Sequence, residues 1–164
     1  MKFPFAALRL LPALLLVAAG LSTTACKKAE ETKSDEEIIQ SYLSSNSITT
    51  ARKQPSGLYF LPVLANPAGA RAVAGTTVSV LYTGRLMDGT VFDASSNRGN
   101  VPISFILGQG RVIAGWDEGI ALMRKGEKAQ LLIPSALAYG SRGSGSSIPP
   151  NAVLRFEVEL TDVR

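Results

Sequence analysis

Apolar and charged residues alternate strictly between residues 154 and 160, near the end of the chain. This period of two predicts a β-strand with one buried face and one face open to water. Apolar runs bounded by turn residues predict five more strands, over residues 57–64, 76–85, 91–94, 103–106 and 128–134. We therefore expect an antiparallel sheet with one wet face.

The stretch from residue 78 to 95 predicts a β-hairpin. Apolar and polar residues alternate at its start, Asp88-Gly89 is a tight-turn dipeptide, and residues 90–92 begin a returning strand. The hairpin is expected to bring Tyr82, Phe92 and Asp93 together. An aromatic group beside a carboxylate indicates a binding site, although the same aromatic residues taken alone also fit a hydrophobic core.

One short helix is predicted between the later strands. Trp116, Ile120 and Met123 stand at positions i, i+4 and i+7, which share one face of a helix. This helix is expected to cover the face of the sheet that is not wet. Strands arranged around a single short helix indicate the α+β fold class.

A second helix is predicted upstream, over residues 35–45. Ser34 and Glu37 match a capping box, and apolar residues form a stripe along one side of the segment. About three turns of helix are marginally stable alone, so we expect the helix to pack on its own domain. Two alternatives are that this helix pairs with the helix of a second copy of the chain, or that it acts as a short arm that binds client chains.

The composition excludes several classes of chemistry. The 164 residues are 46% hydrophobic, which suits one folded domain with extensions. The chain has no histidine and one cysteine, so a His-based triad, a His-ligated zinc and an internal disulfide are excluded. No Gly-rich phosphate loop is found, and basic and acidic residues nearly balance beyond the first 26 positions. We expect no metal, cofactor or nucleic-acid partner.

The first 25 residues have the pattern of a signal peptide. Lys2 and Arg9 flank an early basic region, residues 10–19 are almost wholly apolar, and small residues follow. The apolar run is shorter than the roughly 20 residues that span a bilayer, and it contains Pro12. A permanent transmembrane helix is therefore the weaker interpretation.

Small residues ending in Ala25-Cys26 resemble a bacterial lipobox, although Thr23 stands where that motif normally has leucine. We expect acylation of Cys26, which would make the chain an exported, membrane-anchored lipoprotein of the bacterial cell envelope, on its periplasmic side. Ordinary secretory cleavage at the same bond is the alternative, and it would leave an unpaired exported thiol. Residues 26–34 are polar and charged, as in a solvated tether.

Several short motifs follow one another in a characteristic order. They are Tyr82-Thr-Gly, Asp88-Gly-Thr-Val-Phe-Asp-Ala-Ser95, Phe105-Ile-Leu-Gly108, Val112-Ile-Ala-Gly-Trp116, Tyr139-Gly140 and Ile148-Pro-Pro-Asn151. Through these motifs residues 57–164 resemble the FKBP family of peptidyl-prolyl cis-trans isomerases. The resemblance implies a curved antiparallel sheet wrapped around one short helix, with a pocket between them. The helix and linker expected over residues 35–56 would precede this domain.

The resemblance also implies a set of site residues. Trp116 would form the floor under a proline ring, the amide of Ile113 and the hydroxyl of Tyr139 would hydrogen-bond to the peptide, and Asp93 would orient neighbours or polarise the site, without acting as a general base. The other walls would be Tyr82, Phe92, Ile103, Phe105, Val112, Ile148 and Phe156.

The functional hypothesis is a rotamase that assists the folding of exported proteins, with proline-containing polypeptides as substrates and macrolide inhibitors as further ligands. A proline-peptide-binding chaperone or scaffold with little turnover is the main alternative, and a structural envelope lipoprotein is a third. The loop over residues 141–147 is richer in Gly and Ser than is usual in the family, and Ile103 stands where Phe is common. These departures affect the expected peptide preference and macrolide affinity. A monomer and a weak dimer both fit the sequence.

Overall fold

The computed structural model describes residues 33–164, so the predicted signal peptide, Cys26 and most of the tether lie outside the described residues. Two helices and seven strands follow in the order α1 (Asp35–Ser45), β1 (Arg52–Lys53), β2 (Tyr59–Leu64), β3 (Thr77–Leu86), β4 (Val91–Ala94), β5 (Ile103–Ile106), α2 (Ala114–Ala121), β6 (Lys128–Ile133) and β7 (Leu154–Val163). Single 3₁₀ turns cover Ser95–Arg98, Ser135–Leu137 and Gly140–Arg142. Within residues 33–164, no helix is long and apolar enough to cross a membrane.

All seven strands form one antiparallel sheet in the order β1-β2-β6-β7-β3-β4, and β5 also pairs with β3. Strand β3 is the axis of the sheet, because it pairs with β7 along its whole length and with β5 and then β4 on its other side. The predicted α+β class is confirmed. The two-residue strand β1 was not predicted.

The predicted turn at Asp88-Gly89 is confirmed. The amide of Leu86 donates to the carbonyl of Thr90 across the turn, and Gly89 has a φ of 95°, which a residue with a side chain rarely adopts. The turn returns the chain along β3, so that Asp93 pairs with Gly84. This register places the side chains of β4 beside those of β3.

Helix α2 lies close against β6 because two of its residues have no side chain. A Cβ atom at Gly115 would stand 2.4 Å from Cγ2 of Ile133, and one at Gly119 would stand 2.7 Å from Cδ1 of Leu131. The close approach buries Trp116 and Ile120 in the main core. The helix is shorter than the predicted apolar face, since it ends at Ala121, yet Met123 just beyond it is fully buried.

Helix α1 packs on the opposite face of the sheet. Ile39 and Leu43 of the helix form a second core cluster with Tyr59, Leu61, Leu132 and Val153. Neighbouring residues on the same strands, Phe60 and Leu131, belong to the main core instead, as the alternation of side chains along a strand requires. The expectation that this face of the sheet would be wet is therefore wrong over β2 and β6, because α1 excludes water there.

The start of α1 is fixed by polar contacts. The predicted capping box is present, with Ser34 and Glu37 each accepting a hydrogen bond from the backbone amide of the other. Glu36 accepts from the hydroxyl of Tyr59 at 2.6 Å and pairs with Lys53 at 3.0 Å. These hydrogen bonds, from Tyr59 first and then from Lys53, lower the pKa of the Glu36 carboxyl. The helix is thus joined to the sheet by both apolar and polar contacts.

Candidate active site

A cavity of about 200 Å³ opens between the β3–β4 hairpin, the start of α2 and the loop that follows β6. Nine of the eleven side chains predicted around the substrate line it, together with one residue that was not predicted, Arg111. The lining residues are Tyr82, Phe92, Asp93, Ile103, Arg111, Val112, Ile113, Trp116, Tyr139 and Phe156. The cavity is therefore bounded by residues drawn from six separate parts of the chain.

The two remaining predicted residues do not line this cavity. Phe105 packs on the main core, with its ring centroid 6.1 Å from that of Trp116. Ile148 is buried in the same core, because two backbone hydrogen bonds with Ser144 close a tight turn and its side chain packs inward. The structure thus places neither residue in the lining of the cavity, and their contact with substrate stays a prediction.

Trp116 is the centre of the aromatic wall and is 4% exposed. Its ring centroid lies 5.0 Å from that of Tyr82 and 5.2 Å from that of Phe156, and both pairs are nearly perpendicular. Phe92 meets Phe156 in the same edge-to-face manner at 5.4 Å. Such contacts are favourable beyond the burial of area, so they hold the rings in fixed positions.

The aromatic wall depends on the glycine of the Tyr82-Thr-Gly motif. A Cβ atom at Gly84 would lie 2.6 Å from Cζ of Phe92 and 2.8 Å from Cε1 of Phe156. Both distances are far shorter than van der Waals contact. The absence of a side chain at this position on β3 is what allows the two phenylalanine rings to approach each other.

One side of the cavity carries a polar group of three residues. The hydroxyl of Tyr82 donates to Oδ2 of Asp93, and the guanidinium of Arg98 donates both to that hydroxyl and to Oδ1 of Asp93. Oδ1 also accepts from the amide of Ala94 at 2.8 Å. Burial, and next the hydrogen bond to Asp93, raise the pKa of the Tyr82 hydroxyl. The carboxylate is consequently occupied by donors, which suits an orienting or electrostatic role.

Sequence reasoning missed Arg98 and Arg111. Arg98 ends an exposed 3₁₀ turn, and neither its spacing nor its neighbours mark it. Arg111 is exposed at the mouth of the cavity, directly before the predicted wall residue Val112. The only available signal was that each lies within a few residues of a predicted site residue.

A carboxylate organises the loop that leads into α2. Asp117 accepts from the amides of Gly108 and Gly110 at 2.9 Å each, one with each of its oxygens. This holds the chain that carries Val112 and Ile113 against the cavity. Ile113 caps the helix, and no acceptor for its own amide is found among residues 33–164. That N–H is available to a ligand.

Tyr139 stands at the opposite rim and is 40% exposed. Its position follows from the turn at Ser135–Leu137 and from the amide of Asn151, which donates to the carbonyl of the next residue, Gly140. No hydrogen-bond partner for the Tyr139 hydroxyl occurs in the described part of the chain. The rim thus presents a second donor to whatever enters the cavity. No cluster of three potential metal ligands occurs within residues 33–164.

The comparison with protein families decides what this arrangement is. The family model for FKBP-type peptidyl-prolyl cis-trans isomerases matches residues 69–161, more than half of the chain. The chain belongs to this family. It is an FKBP-type peptidyl-prolyl cis-trans isomerase, and the matched range contains every residue that lines the cavity.

The FKBP domain is similar to proteins from distant organisms. FK506-binding protein 2 of Candida glabrata is 60% identical over 94 residues, which cover 57% of this chain and 68% of the relative. The FK506-binding protein of Neisseria meningitidis serogroup C is 52% identical over 95 residues, covering 58% and 86%.

Solved structures agree with the fold. The crystal structure of FkpA from Escherichia coli superposes with a TM-score of 0.69 at 39% identity, covering 77% of this chain, which spans 57% of the FkpA chain. AtFKBP13 gives a TM-score of 0.65 at 40% identity, over 70% of this chain and 98% of that one.

Proposed function

We propose that the FKBP domain isomerises X-Pro bonds in its 200 Å³ cavity by stabilising the twisted amide without covalent chemistry. The observation that carries this proposal is an aromatic wall in which Trp116 is 4% and Phe156 5% exposed, flanked by two donors without a partner among residues 33–164, the Ile113 amide and the Tyr139 hydroxyl. A cavity of this size matches a single prolyl residue better than a drug-sized ligand, for which volumes of about 300–1,000 Å³ are usual.

The physics of the reaction explains why such a wall is sufficient. Rotation about the X-Pro bond breaks amide resonance against a barrier of about 18–20 kcal/mol, and no bond has to be cleaved. The twisted amide has less charge separation than the planar one, so an apolar cavity favours the transition state over the ground state. Neither a nucleophile nor a base is needed.

The polar residues have supporting roles in this proposal. The Ile113 amide and the Tyr139 hydroxyl hold the peptide carbonyls on either side of the proline, which fixes the rotating bond over Trp116. Asp93 is engaged by Tyr82, Arg98 and the amide of Ala94, so it fixes the hairpin side of the cavity and contributes a local field.

The substrates proposed for this domain are exported, partly folded proteins, in which slow X-Pro isomerisation limits folding. The support is the sequence of the first 26 residues, whose basic start, apolar run and Ala25-Cys26 junction fit a lipoprotein signal. Several acyl chains on Cys26 would anchor the domain at the periplasmic surface. Mass spectrometry of the mature N-terminus tests this, with Cys26→Ser as the control that must lose the added mass.

The names of the relatives suggest a further ligand. Proteins called FK506-binding protein are identical to this domain at more than half of the positions in the 94 or 95 aligned residues. We propose that macrolides of the FK506 class place a proline-sized part of the molecule in the same cavity, with weaker affinity because the loop over residues 141–147 is polar and Ile103 stands where Phe is common. Displacement of a labelled macrolide by a proline peptide tests a shared site.

A proline-binding module without useful turnover is the second candidate, and the polar loop over residues 141–147 favours it. A peptide isomerisation assay separates the two. Under the proposed function the parent chain accelerates isomerisation, and Asp93→Val and Tyr139→Phe reduce kcat/KM. Tyr42→Phe, which removes a hydroxyl from α1 outside the cavity, is the matched control. A parent rate equal to background, with peptide binding retained, would favour the module.

A further inference from the structure

Helix α1 reaches the loop that carries Tyr139. Oδ2 of Asp35, the first residue of the helix, accepts hydrogen bonds from the amide of Ser135 at 2.8 Å and from its hydroxyl at 2.7 Å. The two residues are 100 positions apart in the chain. Ser135 is buried, whereas Asp35 is only partly so.

The backbone amide of Ser135 has no hydrogen-bond acceptor within its own loop. Ser135 opens the 3₁₀ turn that ends at Leu137, and the first amides of such a turn have no partner within it. Leaving a buried amide and hydroxyl without an acceptor would favour a rearranged turn. A charged acceptor makes the stronger kind of hydrogen bond, so Asp35 selects the turn conformation seen here.

The conformation of this 3₁₀ turn determines the position of Tyr139. The amide of Leu137 donates to Pro134 and that of Ala138 donates to Ser135, so the two residues before Tyr139 are built directly on the turn. The Tyr139 side chain is 40% exposed, and no other side chain among residues 33–164 holds its hydroxyl. The backbone of the turn is therefore what aims it at the cavity.

Asp35 is itself held firmly. The capping box of Ser34 and Glu37 fixes the first turn of α1, and Ile39 is fully buried against the sheet one turn later. The Asp35 carboxylate is therefore held in place by α1, which packs on the face of the sheet opposite the main core. From there it reaches Ser135, in the turn that follows β6.

We propose that Asp35 is a positioning residue for Tyr139, and that α1 is for this reason part of the peptide-binding apparatus as well as a cover for the sheet. The inference rests on the proposed role of Tyr139 in holding the substrate. It predicts that disturbing Asp35 weakens peptide binding through Tyr139 and through no other route.

The test compares two carboxylates of the same helical turn in the full chain. Asp35→Ala should lower kcat/KM about three- to tenfold, mainly by raising KM, as expected for one misaligned hydrogen bond to substrate. Asp35→Asn keeps an acceptor oxygen and should recover most of the activity. Glu36→Ala, which removes a carboxylate that contacts Tyr59 and Lys53 but not Ser135, should lower the urea midpoint and leave kcat/KM unchanged.

Asp35→Ala in a Tyr139→Phe background tests whether the effect of Asp35 on activity acts through the Tyr139 hydroxyl. Asp35→Ala should cause no further loss of kcat/KM there, because the hydroxyl that it positions is already gone. An equal loss in both backgrounds, or unchanged kinetics in the parent background, would overturn the proposal.

An NMR readout separates this proposal from the proposed function. The backbone amide resonances of residues 135–139 should shift and broaden in Asp35→Ala and stay in place in Glu36→Ala, whether or not the parent chain turns over substrate. Unmoved resonances in Asp35→Ala would refute the positioning role, whereas moved resonances in a chain without isomerase activity would refute only the catalytic assignment.

Discussion

The hydroxyl of Tyr82 donates a hydrogen bond to the carboxylate of Asp93, and Arg98 donates to both of them. The three residues come from β3, β4 and the turn that follows β4. Their contacts join the hairpin to the cavity wall, since the ring of Tyr82 also meets that of Trp116 edge to face. One side chain thereby links the polar and the aromatic sides of the site.

Removal of this hydroxyl should affect both activity and stability. In Tyr82→Phe, Asp93 loses a donor while the ring keeps its contact with Trp116, so we expect kcat/KM to fall about two- to tenfold and the free energy of unfolding to fall by about 1 kcal/mol. Peptide kinetics and urea denaturation measure the two effects. Tyr59→Phe loses a comparable hydrogen bond, to Glu36, outside the cavity, and should lower stability alone.

Alkaline pH should destabilise the fold partly through Tyr82. Burial and the hydrogen bond to Asp93 raise its pKa, so the folded chain keeps this proton at a pH where the unfolded chain has lost it. The contribution to stability is therefore complete below about pH 10, the usual tyrosine value, and is lost as the pH rises through the pKa of folded Tyr82. Urea midpoints measured from pH 8 to 11 should fall more steeply in the parent than in Tyr82→Phe, and parallel curves would contradict this.

A methyl group on the inner face of α2 should force the helix away from β6. Gly119→Ala should lower the free energy of unfolding by about 1–3 kcal/mol, because its Cβ would lie 2.7 Å from Leu131. Alanine favours the helix by about 1 kcal/mol over glycine, so a loss of stability would show that packing dominates. Thermal unfolding checks the sign. Combining Gly119→Ala with Leu131→Ala should cost less than the two single changes summed, and simple additivity would count against the clash.

Helix α1 should unfold together with the sheet. Ile39 is fully buried beneath it, so Ile39→Ala should lower the free energy of unfolding of the whole domain by about 2–5 kcal/mol in a single cooperative transition. Circular dichroism and tryptophan fluorescence should report the same midpoint. Ser44→Ala, on the exposed side of the same helix, should change stability by less than about 0.5 kcal/mol. A separate early transition in the helical signal alone would show that α1 folds independently.

Arg111 should influence which peptides enter the cavity. Its exposed guanidinium lies at the mouth, so peptides with an acidic residue beside the proline should be favoured over basic ones. Arg111→Glu should reverse the preference, with a change in the kcat/KM ratio of about two- to fivefold for each peptide at low salt. The effect should shrink as ionic strength rises, and a preference insensitive to salt would exclude this electrostatic origin.

Local signals in the sequence were sufficient for much of the fold. The capping box at Ser34 and Glu37, the Asp88-Gly89 turn and the alternation along β7 each act within a few residues, and each element forms where its signal stands. The family motifs likewise indicated nine of the cavity residues, because motif spacing reflects a shared fold.

Contacts between distant segments could not be predicted in this way. The alternation of Tyr59, Phe60 and Leu61 indicates two faces, yet nothing in it tells that α1 covers the outer one. The bond from Ser135 to Asp35 spans 100 positions, and the capping box around Asp35 does not indicate which distant residue it contacts. Arg98 contacts the site only because the 3₁₀ turn after β4 places its guanidinium over the ring of Tyr82.

The docking of α1 has a consequence for how the protein is made. Ile39 and Leu43 rest on Leu132 and on Val153, next to the final strand, so these two partners are synthesised 89 to 114 residues later. An isolated helix of this length is barely stable in water, and closing so long a loop costs entropy before any contact repays it. Helix α1, which comes first among the elements of residues 33–164, is consequently expected to reach its final position only after the strands that it covers have been synthesised.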